Sequence, residues 1–319
     1  WPVWIDLCGE TAAKASRLER KRRGMARTCG HWIPVLIVLA IIGSCYTVFT
    51  MDFLLKEVES DDLVTHKRGV ACTIAFNALF GLGLISFLRT IFDEPGRVPA
   101  SWIITTEDEE EDAALLMPNS LPALETKHDG SRRVCRKSDP PVYKPDRAHF
   151  CRQLDRCVLK MDHFCPWTNS CIGFGNHKFF MLFIFYMVCC LVLIVVLLSP
   201  DFSRYIEGRE FGQQPSQEEF RVSFMFLALC LLGTALVPFF CFHSYLVTAN
   251  YTTIEFLEKR GCNPPPDHVN RYDTGLCSNV SSVLGRNPLF WLLPVRWFND
   301  GDGLSFALNP DWVYRHKGK

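Results

Sequence analysis

The chain has 319 residues, and 34 Lys plus Arg balance 34 Asp plus Glu, so bulk charge offers nothing to a nucleic acid. Hydrophobic residues make up 48% of the sequence, including 25 Phe, and they are gathered in long blocks, which excludes a simple soluble domain. The chain begins at Trp1 and is read as a fragment. Residues 1–31 form a basic N-terminal segment carrying Lys14, Arg17, Arg20, Lys21, Arg22, Arg23 and Arg27. Residues 32–92 hold two apolar runs, 32–51 and 70–88, joined by a short acidic loop. Residues 93–134 open on Asp93-Glu94-Pro95-Gly96, a turn signal, and continue through the acidic run 107–112 as a solvated linker. Residues 135–178 are crowded with Cys, His, Asp, Pro, Trp and Asn, so irregular, turn-rich structure is expected there. Residues 179–247 hold two further apolar runs, 179–199 and 222–246, again around an acidic loop. Residues 248–319 form a tail with a helix expected near 252–259, a break at Pro264–Pro266, and an apolar cluster at 289–297 suited to a membrane surface.

Crossing a bilayer takes about 20 apolar residues. All four runs meet that length closely, and none contains Asp, Glu, Lys or Arg. Pro238 in the fourth is tolerated where neighbouring helices satisfy the freed backbone. The expected fold is an all-α polytopic membrane protein with four transmembrane helices and a cytosolic cysteine-rich domain between spans two and three. Basic residues gather in the N-terminal segment, the central segment and the tail, which places both termini and the central domain in the cytosol. Neither external loop contains any of the 15 cysteines, so their use is chemistry or metal binding rather than cross-linking. A small transporter is disfavoured, because transporters place ionisable groups in their spans and here only His243 does so.

The chemistry-bearing segment runs from Lys144 through Cys151, Cys157 and Met161-Asp-His-Phe-Cys-Pro-Trp167 to Cys171 and Asn176. A thiol is a poor nucleophile until ionised. A nearby His can take its proton, and a carboxylate can fix the imidazole tautomer. Asp162, His163 and Cys165 lie within four residues, so a turn can bring them together; on spacing alone, metal ligation is the commoner reading. Their place at a membrane face, with Trp167 adjacent, suits reception of a fatty chain. Lys144, Arg147, Lys160 and Lys178 flank the site and would suit the phosphates of a soluble headgroup.

The segment resembles the cysteine-rich domain of the DHHC protein S-acyltransferases, the palmitoyltransferases. Asp93-Glu94-Pro95-Gly96 is similar to that family's Asp-Pro-Gly motif with one residue more, and Thr252-Thr253-Ile254-Glu255 matches its Thr-Thr-x-Glu motif. The stretch from Tyr272 through Asn279 and Gly285 to Pro294 resembles its C-terminal motif. The resemblance implies ping-pong transfer from acyl-CoA through a thioester to juxtamembrane cysteines of substrate proteins, without nucleic acid. It implies Cys165 as nucleophile, His163 as base and Asp162 as orienting carboxylate. Thr253 and Glu255 would support them, Asn279 would pack the tail on the spans, and Cys190 would lie deep in the acyl-chain cavity. The implied compartment is the Golgi or another endomembrane, with the plasma membrane as the alternative.

The signature here reads Asp-His-Phe-Cys. The family carries two zinc sites of three Cys and one His, and Phe150, Phe164 and Leu154 stand at three ligand positions, with Cys151, Cys157 and Cys171 surviving. Zinc is therefore doubtful, and a single apolar core of Phe150, Leu154 and Phe164 is expected in its place. The rival is one rearranged zinc on Cys151, Cys157, Cys171 and either His149 or Cys135. The competing functional reading is a catalytically impaired scaffold of the same fold.

Overall fold

The computed structural model describes residues 31–102, 125, 133–138, 141–207, 216–261, 269–296 and 301–316. The N-terminal basic residues, the acidic run and the Pro264–Pro266 break lie outside the described residues. Four long apolar helices form the membrane body: α1 (Ile33–Val58), α2 (Leu63–Phe92), α3 (His177–Glu207) and α4 (Gln217–Thr248). Each overruns the apolar stretch that marks it, because polar caps sit well outside that stretch. The Asp62 side chain accepts from Thr65 N and starts α2. Ser216 and Glu219 form a reciprocal capping box that starts α4. At this end of the bundle, Arg221 donates both prongs to Asp52 at 2.9 Å, tying α4 to α1.

The helices are apolar nearly all round, as a bilayer demands. Leu36, Ile74, Phe224 and Leu231 point outward and remain well exposed. The inner face is led by α3, which packs against both α2 and α4. A wide π turn at Phe49–Leu54 in α1 turns Phe49, Phe53 and Leu54 inward. There they meet Phe76, Cys190, Ile194, Leu198, Met225 and Leu229 in one buried cluster.

The central segment is three small antiparallel hairpins rather than irregular coil. They pair β1 (Val134–Cys135) with β2 (Val142–Tyr143), β3 (His149–Cys151) with β4 (Arg156–Val158), and β5 (His163–Cys165) with β6 (Ser170–Ile172). The Asp93–Gly96 turn clamps them to α2. Leu159 N donates to Gly96 O at 3.2 Å, and Gly175 N donates to Pro95 O at 2.8 Å. Only glycine fits at 175, since a Cβ there would fall 2.0 Å from Glu94 O. Asn176 closes the joint: its amide donates to Thr90 O at 3.1 Å and to Cys171 O at 3.0 Å, and its carbonyl accepts from Gly173 N.

The tail contributes α5 (Thr253–Gly261), α6 (Leu276–Leu284) and α7 (Pro310–His316). Asn279, fully buried, donates to Thr248 O at 2.7 Å and ties α6 to the end of α4. Between α6 and α7, Leu289, Leu292 and Leu293 face outward. Their backbone is held from behind by Lys178, Arg89 and the Tyr186 hydroxyl.

Candidate active site

Strand alternation, rather than a turn, brings the His163 imidazole to the Cys165 thiol. Successive side chains of a strand point to opposite faces. His163 and Cys165 therefore share one face of β5 and Phe164 takes the other. The register pairs His163 with Ile172 and Cys165 with Ser170. Asn169, at φ 46°, closes the hairpin in the left-handed region that Asn tolerates.

On the first face, His163 hydrogen-bonds the Cys165 thiol, and its Nδ1 donates to Asp162 Oδ2 at 2.6 Å. Asp162 is fully buried. Its Oδ1 accepts from Thr253 N at 2.8 Å, and Oδ2 accepts from Thr253 Oγ1 at 2.8 Å. Thr253 thus reaches the site from α5, across the last two spans. Burial alone would keep Asp162 neutral, but the His163 bond and the surrounding imidazoles hold it well below the ordinary carboxylate range. Burial likewise opposes charge on His163, and the bonds to Asp162 and Cys165 overcome it, raising His163 to about 9. Cys165 is lowered despite its burial, chiefly by His163 and then by Thr168. Both shifts favour a thiolate–imidazolium pair. The pair sits against Phe180, Met181, Ile184 and Val247, where α3 and α4 reach the membrane face. Phe180 stands ten residues before Cys190, a helical rise of about 15 Å along α3.

On the second face, Phe164 packs with Leu154 and Ile254 around Cys151, Cys171, Val158 and Met161. Phe150, turned the other way from Cys151 on β3, packs instead with Val98 around Cys135, Cys157 and Val142. The apolar residues thus form two separate cores, not the single one expected, because Phe150 and Phe164 sit on different hairpins. Each core encloses one hydrogen-bonded thiol pair, Cys151 with Cys171 and Cys135 with Cys157. In each pair one thiol is held protonated. Cys157 is pushed up to about 12 by burial and by Cys135, and Cys171 is raised by its bond to Cys151 and by burial.

A structural zinc needs four donors. Among the described residues, the one group of three or more His, Cys, Asp or Glu donors within 4.8 Å is Asp162, His163 and His243. Among the described residues neither thiol pair gains the further donors a four-ligand metal needs, and the rearranged set on Cys151, Cys157, Cys171 and His149 or Cys135 is not brought together.

The basic residues need correction. Arg147 is 1% exposed and serves the interior, not a headgroup. It donates to Glu255 at 2.7 and 2.8 Å and to Asn250 Oδ1 and O, both at 2.9 Å. Lys160 is buried beside it, and burial with the Arg147 charge holds Lys160 down to about 7. Lys178 donates to Phe290 O at 2.7 Å and Val295 O at 3.2 Å, pinning the tail. Of the four, Lys144 is the one left partly exposed without an internal side-chain bond in view. Trp167 is 56% exposed beside Cys165. Sequence reasoning gave no role to His243, whose ring lies 5.5 Å from that of His163; its being the one His, Lys, Arg, Asp or Glu in the four apolar runs was the available signal.

A thiol beside a carboxylate-bonded imidazole, set where four membrane helices meet a small hairpin domain, is an arrangement suited to a membrane-embedded thiol acyltransferase. Residues 128–260 match the family model for the DHHC palmitoyltransferase domain. Palmitoyltransferase ZDHHC15A of Danio rerio is 32% identical over 290 residues, spanning 87% of this chain and 84% of the relative. ZDHHC15 of Rattus norvegicus is 30% identical over 292 residues, with 87% and 82% covered. ZDHHC2 of Mus musculus is 29% identical over 300 residues, with 89% and 78% covered. The chain belongs to the DHHC palmitoyltransferase family. It is a multi-pass membrane enzyme, a protein S-acyltransferase that draws its acyl group from acyl-CoA.

Proposed function

We propose that Cys165 is the acylated relay, with His163 its base and Asp162 the carboxylate that orients the base. The carrying observation is the continuous chain from Thr253 through Asp162 and His163 to Cys165, with 2.8 and 2.6 Å links and a buried carboxylate. In the first half-reaction the Cys165 thiolate attacks the thioester carbonyl of acyl-CoA. The carbon–sulfur bond to CoA breaks, and the departing CoA thiolate takes the proton that His163 holds. In the second half-reaction a substrate cysteine gives its proton to His163 and attacks the acyl group on Cys165. Cys165 leaves as a thiolate, and the imidazolium beside it is restored. Asp162 stays ionised throughout and stabilises each imidazolium.

The acyl chain runs from Cys165 along α3 toward Cys190, lined by Phe180, Met181 and Ile184. Trp167 and Lys144 meet the CoA moiety at the membrane surface. The two thiol-and-aromatic cores brace the catalytic hairpin in place of zinc. Both termini and the cysteine-rich domain lie in the cytosol of an endomembrane such as the Golgi, and substrates are proteins with cysteines near the membrane. Domain limits follow the composition, with the catalytic unit at 135–178. The deciding experiment incubates purified protein with labelled palmitoyl-CoA. A hydroxylamine-sensitive label on Cys165 that disappears in Cys165→Ser supports the relay; label retained in that variant sinks it.

A further inference from the structure

His243 lies on α4, outside the relay and outside every motif. Its side chain is 3% exposed. The rings of Phe180, Phe239 and Phe242 surround it at centroid distances of 5.1, 4.5 and 5.5 Å. A polar atom buried in such a box without a partner is costly, so its presence calls for an explanation. Nδ1 of His243 has no hydrogen-bond partner among the described residues. It faces Asp162 Oδ2 at 4.0 Å, the oxygen that already accepts from His163 and Thr253. That separation is about 1 Å too long for a hydrogen bond. The other titratable group within electrostatic reach is His177 at the start of α3, and Phe256 behind Phe242 is uncharged.

We infer that His243 is a positioning residue for the catalytic carboxylate, a neutral imidazole whose Nδ1–H closes onto Asp162 once His163 has given up its proton. In the resting site the imidazolium of His163 offsets the buried negative charge. When that proton passes to the leaving CoA sulfur, Asp162 keeps a donor in His163 but loses the cation. A second imidazole supplies the missing stabilisation without adding a charge to an apolar site. It also tempers the Asp162 charge, which would otherwise hold the His163 imidazolium so firmly that little neutral base is present for the second half-reaction.

This inference rests on Cys165 as the acylated residue, and the test keeps the two apart. Full-length wild type, His243→Asn and His243→Phe are purified in detergent, and autoacylation and transfer to a cysteine peptide are timed separately across pH. The Asn amide occupies the place of Nδ1 and can donate; Phe fills the box but cannot. The expected result is that Asn transfers within about twofold of wild type, whereas Phe is slower by about tenfold. In Phe the acidic limb of the transfer step moves to higher pH, because an undiluted Asp162 charge holds the His163 proton more tightly. Phe matching wild type while Asn fails assigns His243 to packing and overturns the inference. Equal slowing in both with an unmoved acidic limb overturns it too. Label lost on chelation and restored by zinc in wild type but not in Asn overturns it in favour of a metal at Asp162, His163 and His243. Failure of wild type to label at all defeats the relay reading instead.

Discussion

Arg147→Met removes a guanidinium that is 1% exposed and makes four hydrogen bonds, two of them to Glu255. Burial opposes charge on both partners, and their mutual attraction prevails, holding Arg147 above and Glu255 below their ordinary values. After the substitution, Glu255 keeps its bond from Thr252 N at 2.8 Å but has lost its cation. Breaking a buried pair from one side costs about 3–5 kcal/mol, most of it from the charge left behind. Removing the Arg147 charge relieves one of the two causes that hold Lys160 down, so Lys160 offsets part of that loss and the lower end of the range is expected. Arg147→Met with Glu255→Gln neutralises the site while Gln still accepts from Thr252 N. The double variant is therefore expected to be more stable than the single by about 2 kcal/mol. Apparent unfolding midpoints of detergent-solubilised protein measure this, at one heating rate because membrane proteins unfold irreversibly. Autoacylation should fall in parallel, since Glu255 sits in the turn from which Thr253 grips Asp162. A single variant as stable as wild type, or a double no better than the single, refutes the reasoning.

Four other outcomes are expected. Autoacylation rises with pH along a limb lying below the usual thiol range, since Cys165 is lowered; a limb at the free-thiol value of about 8.5 contradicts the paired site. His163 is raised to about 9 in the folded enzyme, so its contribution to stability is complete below about pH 6.5 and disappears as pH rises through about 9; unfolding midpoints that hold steady from pH 7 to 10 would count against the Asp162–His163–Cys165 linkage. Elemental analysis of the purified enzyme should find well under one zinc per chain and labelling indifferent to chelators, whereas one stoichiometric zinc defeats the two apolar cores. Cys190 stands small in a cluster of Phe49, Phe76, Ile194 and Leu198, so wild type accepts C18 donors as well as C16 and Cys190→Phe loses the longer ones first; a wild type that disfavours C18 removes Cys190 from the acyl path.

The four spans were legible because their apolar runs carry no formal charge. Their true ends were not, since Asp62 and Ser216 cap helices well upstream of the apolar stretches they serve. Asp162, His163 and Cys165 stood out by residue type, yet the two-residue spacing of base and thiol was meaningful only once β5 was known to be a strand. Strands of two or three residues leave too short an alternation to read. Arg147 looked like a surface charge because its partner Glu255 lies 108 residues away and nothing local announces it. Phe150 and Phe164 were recognised as replacements, but alternation along β3 and β5, invisible in a list of substitutions, sent them to different thiol pairs.

The reach of Thr253 to Asp162 has a consequence for biosynthesis. On the proposed roles, the nucleophile and its base have been made once the ribosome passes residue 165, but the threonine that holds Asp162 lies 91 residues beyond that carboxylate, after two more membrane helices. A chain that stops before Thr253 therefore carries the thiol and the imidazole with a carboxylate that lacks both threonine hydrogen bonds. On the proposed roles, Cys165 is fully supported as an acyl acceptor only after α5 has been made.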